Sequence, residues 1–160
     1  MSIVNIEYTP IVPKNATFPS FTASCFLGQL IIKLLCMAKK ILLVDDDMYI
    51  RDLYNEVLKE AGYDVVSRTN GDEALTELSK GGFDLILLDI MMPKLDGIGV
   101  LKSLKEKPAA APNGPVILLT NLAHDPVLKE ATSLGAQTFL IKADMTPDQL
   151  IEKVKGFLGE

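Results

Sequence analysis

Four apolar segments of this chain are each followed directly by polar side chains that could carry chemistry. These side chains are Asp45, Asp46 and Asp47 after the first segment, Asp89 after the second, Thr120 after the third and Lys142 after the fourth. Carboxylates crowded together repel each other unless a cation lies among them, and an all-oxygen set without His or Cys favours a hard ion, most simply Mg²⁺. A lysine and a hydroxyl facing the same carboxylates add two donors for phosphoryl oxygens. The residue types therefore suit Mg²⁺ and a phosphoryl group together.

The strands that must position these side chains are predicted from hydrophobic patterning. Short unbroken apolar runs, typical of parallel strands covered on both faces, occupy residues 41–44, 85–88 and 116–119. Residues 65–66 and 138–141 supply two less regular strands, which gives five in all.

Helices are predicted between these strands and after the last one. An apolar stripe with helical spacing runs through residues 50–61, and Gly62 is expected to end that helix. Thr146 and Pro147 have the residue types of a helix cap and first turn, and residues 107–115 are predicted to be a loop. The remaining helices are expected at residues 74–78, 99–104, 127–134 and 147–158. Five strand–helix repeats predict an α/β fold with a parallel sheet, right-handed crossovers and helices on both faces. Ligands bind beyond the carboxyl ends of such strands, so the polar side chains should share one edge.

Composition and charge argue against some classes of function. The 160 residues include 16 Lys and Arg against 21 Asp and Glu, and the net charge of −5 argues against a general nucleic-acid binder. The chain is 48% hydrophobic and 23% charged, which is enough apolar surface for one folded domain. The longest apolar stretch, residues 26–38, contains Gln29 and Lys33 and falls short of the ~20 residues of a membrane span, so no membrane partner is expected.

Residues 1–36 differ from the rest and are predicted to be a leader, with the folded domain at residues 37–160. The leader has two Lys, one Glu and both cysteines, so residues 37–160 carry a net charge of −6 and no cysteine, which suits the cytoplasm. Translation from Met37 is favoured, with the leader disordered or an upstream mis-start. The alternative is a membrane-surface anchor built on residues 26–35.

Two motifs and two single residues occur in a fixed order along the chain: VDDD at 44–47, LDIMMPKLDG at 88–97, Thr120 and Lys142. In this combination they closely resemble the receiver domain of bacterial two-component response regulators. The resemblance covers about residues 38–159. It implies a flavodoxin-like, doubly wound (βα)5 fold whose five-stranded parallel sheet has the strand order 2-1-3-4-5.

The resemblance also implies a role for each of the acidic residues. Asp89 would be the nucleophile that accepts a phosphoryl group from a histidine kinase or a histidine phosphotransfer protein. Asp45 and Asp46 would hold Mg²⁺ together with Asp89 and the main-chain carbonyl of Met91, and the ion would neutralise charge on the transferring group.

Three further residues would bind the phosphoryl group and relay its arrival. Lys142 would pair with one phosphoryl oxygen, and Thr120 would hydrogen-bond another and pull the following loop inward. Phe139 would change between outward and inward rotamers as Thr120 moves. The signal would then be read on the face formed by the fourth helix, the fifth strand and the fifth helix.

Two positions near the switch depart from the family pattern. Ala143 follows Lys142 where most members have a proline after a cis bond. A cis bond at a non-proline residue costs about 2.5–4 kcal/mol, so a trans bond or a locally altered loop is expected. Asn121 occupies a place where a small residue is common, and its bulk is expected to limit the inward packing of Phe139.

A third departure concerns the lifetime of the phosphorylated state. Met91 and Leu122 stand two residues beyond Asp89 and Thr120, and both are apolar. They would flank the route of a hydrolytic water, so slow loss of the phosphoryl group is expected.

Several nearby residues have simpler interpretations. Asp47 is predicted to be the N-cap of the first helix. The pair Asp96 and Gly97 is interpreted as turn chemistry, with the glycine permitting positive φ, and Pro93 as shaping the same loop. His124, the single histidine, is given no catalytic role.

The leading hypothesis is a phosphorylatable switch that does not catalyse reactions on other molecules. Its output is expected to pass through protein contacts, because the chain ends with the fifth helix. A degenerate receiver that binds partners without phosphorylation is one alternative. A Mg²⁺-dependent aspartyl phosphatase is another, although it would normally need D-x-D-x-T after the first strand, where Met48 and Tyr49 stand. A mononucleotide or flavin binder would need a Gly-rich loop after Val44, which is missing.

Overall fold

The computed structural model describes residues 38–121 and 125–160. The predicted leader, Leu122 and His124 lie outside the described residues. Ala38–Glu160 forms one compact unit. Its elements are β1 Lys40–Val44, α1 Met48–Glu60, β2 Asp64–Arg68, α2 Gly71–Leu78, β3 Leu85–Asp89, α3 Gly97–Glu106, β4 Val116–Thr120, α4 Asp125–Ser133, β5 Ala136–Ile141, a 3₁₀ turn Lys142–Asp144 and α5 Pro147–Leu158. No helix within the described residues is long and apolar enough to span a membrane.

The strands form one parallel sheet in the order β2-β1-β3-β4-β5, which confirms the expected flavodoxin-like order. The register decides where the polar side chains lie. Val44 pairs with Leu88 across β1 and β3, so the residues that follow them leave the sheet side by side. Thr120 pairs with Ile141 across β4 and β5, which brings Lys142, the residue that follows β5, to the same edge.

Both faces of the sheet are covered, because alternate strand side chains contribute to two separate cores. Leu42, Ile86 and Leu118 pack against residues of α2, α3 and α4. Leu43 and Leu87 pack against residues of α1 and α5 on the opposite face. Burial on both faces is the reason that the strands read as unbroken apolar runs in the sequence.

Two helix ends lie where the sequence predicted them. After α1, Gly62 adopts a φ of 96°, and the Tyr63 N–H donates to the Leu58 carbonyl at 3.2 Å, as in a Schellman motif. At the start of α5, Thr146 and Gln149 form a reciprocal capping box with Pro147 in the first turn. The predicted loop over residues 107–115 is also present.

Several elements extend further than the apolar pattern indicated, and β2 and α2 show why. Strand β2 includes Asp64, Ser67 and Arg68 because each of them pairs with β1 through the main chain. Helix α2 begins at Gly71, because the side chain of Asn70 accepts a hydrogen bond from the Glu73 N–H and caps the helix one turn before its apolar stripe.

The two-sided core generates a stability prediction. Leu42 is fully buried, so Leu42→Ala should lower the free energy of unfolding by about 2–5 kcal/mol in urea denaturation, through lost burial and the cavity it leaves. Leu53→Ala on α1 is the matched control, because Leu53 is 44% exposed and its truncation should change stability by about 0.5 kcal/mol. Equal costs for the two variants would contradict the burial of Leu42.

Candidate functional site

The carboxyl edge of the sheet gathers most of the residues that the sequence singled out. Carboxylate oxygens of Asp45, Asp46 and Asp89 all lie within 4.8 Å of one another. Thr120 and Lys142, at the ends of β4 and β5, are both buried. Polar side chains from four of the five strands therefore meet at one edge, as their topology requires.

The first acidic segment is fixed by its own hydrogen bonds. Asp45 is fully buried, and its Oδ1 accepts from the Asp47 N–H at 3.0 Å. The Asp47 side chain accepts from the N–H groups of Tyr49 and Ile50, which confirms that Asp47 is the N-cap of α1. Asp46 lies between them with an exposed side chain, free to face a ligand from solvent.

Arg51 is a residue of this site that sequence reasoning missed. Its Nη1 donates to the main-chain carbonyl of Asp45 at 2.9 Å, so the first turn of α1 also holds the acidic segment. In the sequence, Arg51 is only an arginine one turn beyond the predicted helix cap, and such arginines are common on exposed helix faces. Its contact with the Asp45 carbonyl is therefore visible only in the structure.

One buried ammonium lies between the two buried carboxylates. Lys142 Nζ is 2.7 Å from Asp89 Oδ2, where it donates a hydrogen bond, and 2.6 Å from Asp45 Oδ2. The Lys142 side chain is only 2% exposed. Although Asp45 Oδ2 has this ion-pair contact, it accepts no well-directed hydrogen bond.

Burial sets the electrostatics of this triad. Desolvation raises the pKa of Asp45 and of Asp89, and the nearby Lys142 ammonium, which also donates a hydrogen bond to Asp89, opposes this shift without cancelling it. For Lys142, burial acts to lower the pKa, but the two carboxylates outweigh it and raise the pKa. Because two carboxylates share a single ammonium, the ionised site keeps an excess negative charge.

This donor set fits a hard divalent cation. Three carboxylates within reach of one another supply the oxygen ligands that Mg²⁺ prefers. Asp45 Oδ2, buried without a directed hydrogen bond, has lone-pair capacity for such an ion. The excess negative charge of the site favours its binding.

The loop after Asp89 is held at both ends. The Met91 N–H donates to Asp89 Oδ1 at 3.1 Å, and the Gly97 N–H donates to the Ile90 carbonyl at 3.0 Å. Asp96 is the N-cap of α3, accepting from the Gly99 N–H at 2.7 Å. Asp96 therefore has a structural partner within its own helix.

The expectation that Gly97 adopts positive φ is wrong. Within the described residues, Lys94 is the non-glycine residue with positive φ, at 68°, whereas Gly97 begins α3 with ordinary helical backbone. Glycine is needed at position 97 for a different reason, since a Cβ atom there would overlap the main-chain oxygen of Asp89. The sequence was right to single out the glycine at position 97, but the reason for it is the close approach of the Asp89 main chain and not a positive φ.

The segment after β5 places Lys142 without a proline. The described residues contain no cis peptide bond, so the bond between Lys142 and Ala143 is trans, as expected. A 3₁₀ turn follows, closed by the Met145 N–H donating to the Lys142 carbonyl at 3.2 Å. With this 3₁₀ turn in place of a cis proline, the Lys142 ammonium still points into the acidic site.

The other predicted site residues lie around this centre. Thr120 is 3% exposed at the end of β4, and Asn121 after it is exposed. Phe139 on β5 is 39% exposed, which is an outward orientation. Met91 is 69% exposed beside Asp89. Leu122 lies outside the described residues, so its predicted place on the water route stays a prediction.

Comparison with known proteins supports one family throughout. Residues 41–155 match the model of the response regulator receiver domain. The chain is 39% identical over 124 residues to the alkaline phosphatase synthesis transcriptional regulatory protein PhoP of Bacillus subtilis, covering 76% of this chain and 49% of that protein. It is 37% identical over 120 residues to the probable transcriptional regulator ycf27 of Cyanophora paradoxa, covering 75% and 48%.

Solved structures agree with this family. A CheY-like receiver domain protein from Methanospirillum hungatei has a TM-score of 0.68 at 31% identity, covering 77% of this chain and 95% of that one. The Thermotoga maritima response regulator TrrA, solved in complex with Mg²⁺ and BeF, has a TM-score of 0.62 at 37% identity, covering 74% and 98%.

The chain spans about half the length of the curated regulators that it matches, and nearly the whole of the solved receiver domains. The family match over residues 41–155 includes β2 to β5, all of β1 except Lys40, and the acidic edge described above. By sequence and by fold, this chain belongs to the response regulator receiver domain family of two-component signalling systems.

Proposed function

We propose that this protein is a phosphorylation-dependent switch in which Asp89 accepts a phosphoryl group from a histidine kinase or a histidine phosphotransfer protein. The observation that carries the proposal is the contact of Lys142 Nζ with Asp89 Oδ2 at 2.7 Å inside a cluster that includes Asp45 and Asp46. A nucleophilic carboxylate, a cation-binding set and a fixed ammonium are the groups that phosphoryl transfer requires.

The transfer forms one bond and breaks one. An oxygen of the Asp89 carboxylate bonds to phosphorus as the bond from phosphorus to the donor's imidazole nitrogen breaks, and the imidazole leaves with that electron pair. Mg²⁺ held by Asp45, Asp46, Asp89 and the Met91 main-chain carbonyl would supply positive charge to the oxygens of the transferring group. The protein's own contribution is position, since the carboxylate is already held by the Met91 N–H.

Lys142 and Thr120 bind the transferred group. Lys142 pairs with a phosphoryl oxygen, and its trans bond to Ala143 leaves the ammonium within reach of Asp89. Thr120 hydrogen-bonds a second oxygen from the neighbouring strand, which draws the start of the following loop inward. Both side chains are buried at the same edge, so neither needs a large movement to reach the phosphoryl group.

Phe139 reports this event on the surface. Its ring is partly exposed on β5, the strand that pairs with β4 through Thr120 and Ile141. An inward movement of Thr120 makes room for the ring to turn inward, and the bulk of Asn121 limits how far it packs. The face formed by α4, β5 and α5 then offers a changed surface to a downstream protein.

The protein catalyses only its own phosphorylation and dephosphorylation, and it acts in the cytoplasm, which the absence of cysteine from residues 37–160 supports. The exposed, apolar Met91 beside Asp89, with Leu122, makes loss of the phosphoryl group slow by excluding the attacking water.

Phosphorylation itself gives the first test. Incubation with acetyl phosphate and Mg²⁺ should add one phosphoryl group to the intact protein, measured by mass spectrometry. Asp89→Asn should abolish the gain, because the amide is not a nucleophile of this kind. Asp47→Asn is the matched control, since asparagine caps a helix as well as aspartate does, and its gain should be unchanged.

The outcome separates the alternatives. A folded, Mg²⁺-binding wild type that gains no mass would favour a degenerate receiver that acts without phosphorylation.

The lifetime of the phosphorylated state can be measured in the same way. After removal of acetyl phosphate, mass spectra should show slow loss of the added phosphoryl group, and Met91→Asn should hasten this loss. A wild-type lifetime as short as that of fast chemotaxis-type regulators would contradict the role of Met91 and Leu122.

The acidic site also generates a stability prediction. Mg²⁺ at ten times its Kd should raise the free energy of unfolding by about 1.4 kcal/mol, or ~5 °C in Tm, because only the folded chain gathers the carboxylates. Asp89→Asn should lose most of this increment, whereas Asp47→Asn should keep it. Thermal melts with and without Mg²⁺ make the comparison.

Without metal, the sign of the Asp89→Asn effect depends on pH. Burial raises the pKa of Asp89 above 3.8, so its favourable contribution to folding is present below that pH and is lost as pH rises through the raised pKa. At pH 7, Asp89→Asn should therefore stabilise the metal-free protein, and the gain should vanish in acid. Destabilisation at pH 7 would contradict the excess negative charge inferred for the site.

The switch can be tested through Phe139 with fluorinated phenylalanine, its ¹⁹F signal assigned by its loss in Phe139→Leu. Phosphorylation should move the signal towards a buried environment. Thr120→Ala should still be phosphorylated, but its ¹⁹F signal should not move, because the variant lacks the hydroxyl that couples the phosphoryl group to Phe139. Thr138→Ala, a half-buried neighbour on β5, is the control and should retain the movement. A full shift in Thr120→Ala would contradict the coupling.

A further inference from the structure

The first residue of α2, Gly71, lies directly against the loop that follows Asp89. A Cβ atom at Gly71 would overlap the main-chain oxygen of Leu95, and it would lie 2.8 Å from Val100 Cγ2 and 2.9 Å from Leu95 Cβ. Because the overlapped atom belongs to the main chain, a rotamer change cannot relieve the contact. Any side chain at position 71 must displace either the helix or the loop.

The helix side of this contact is firmly held. The Asn70 side chain, which is buried, accepts from the Glu73 N–H at 3.0 Å and donates to Glu73 Oε1 at 3.0 Å. The Thr69 N–H donates to the other carboxylate oxygen of Glu73 at 3.1 Å. This network closes the first turn of α2, and Ala74 in the same helix is fully buried in the core with residues of β1 and β3, so a clash at Gly71 is relieved mainly by movement of the loop.

The loop side connects directly to the acidic site. Lys94, which precedes Leu95, has a φ of 68°, a conformation that leaves an ordinary side chain little freedom. The loop is closed by the Gly97 N–H donating to the Ile90 carbonyl, and the Met91 N–H donates to Asp89 Oδ1. A displacement at Leu95 is therefore transmitted within a short closed loop to the main chain of Met91.

We propose that Gly71 is a positioning residue for the phosphoacceptor loop: the missing side chain lets Leu95 lie against α2, and this contact sets the Met91 main chain relative to Asp89. The inference rests on the proposed function, because the Met91 carbonyl is a proposed ligand of Mg²⁺. It makes α2, which carries none of the site side chains, part of the machinery that shapes the site.

Three glycine-to-alanine variants separate this role from general effects of the substitution. Gly71→Ala displaces main chain at Leu95. Gly99→Ala meets the flexible end of the Leu95 side chain, whose Cδ1 would lie 2.5 Å from the new Cβ atom and can move away. Gly156→Ala on α5 meets no atom within 4 Å.

Two readouts are measured on each folded variant. Isothermal titration with MgCl₂ should give a Kd roughly tenfold weaker in Gly71→Ala, in line with residues that orient metal ligands, and little change in the other two variants. In the metal-free protein, the ¹⁵N–¹H signal of Met91 should shift in Gly71→Ala and remain in place in Gly156→Ala. Should Gly71→Ala fold poorly, it is measured in the Gly156→Ala background, which strengthens α5.

The two readouts also separate the inference from the proposed function. If the wild type binds Mg²⁺ and Gly71→Ala binds it equally well with an unshifted Met91 signal, the positioning role is overturned while the proposed function stands. If the wild type does not bind Mg²⁺, the metal site fails, and the Met91 signal alone decides whether Gly71 positions the loop. A loss of thermal stability with no change in either readout would mean that Gly71 is only structural.

Discussion

Two buried carboxylates that share one buried ammonium are the interaction on which the rest of this structure depends. Asp45 and Asp89 both contact Lys142 Nζ within 2.7 Å, where burial removes most of their contact with water. The triad is costly to assemble, because burial penalises each charge and the charges do not balance. That imbalance favours the binding of a cation at this edge, as the proposed function requires.

The α/β fold offsets this cost because the residues that stabilise the sheet are different from those that form the polar site. Leu42 and Leu43 belong to two different cores, so β1 is stabilised on both faces before it reaches Asp45. The same is true of β3 before Asp89. Apolar burial in the middle of the sheet thus holds polar groups at its edge, and the parallel register makes those groups neighbours.

The loops at that edge depend on backbone approach more than on side chains. Gly97 lies against the Asp89 carbonyl and Gly71 against the Leu95 carbonyl, so the loop after Asp89 is confined between its own strand and α2. Sequence reasoning attributed Gly97 to positive φ and gave Gly71 no role. Both errors have one cause, since close contacts between main chains that are distant in sequence leave no periodic pattern.

The sequence by itself determined the strand–helix order, the Gly62 and Thr146 helix ends and the polar residues at the strand ends, because these follow from local hydrophobic period and capping chemistry. The resemblance to a family supplied the strand order and the proposed roles. Only the tertiary structure decided that β2 extends through Arg68, that Arg51 holds the Asp45 carbonyl and that Lys142 reaches both acids. Those features depend on contacts between residues far apart in the chain, whose geometry is set when the whole sheet and its helices pack.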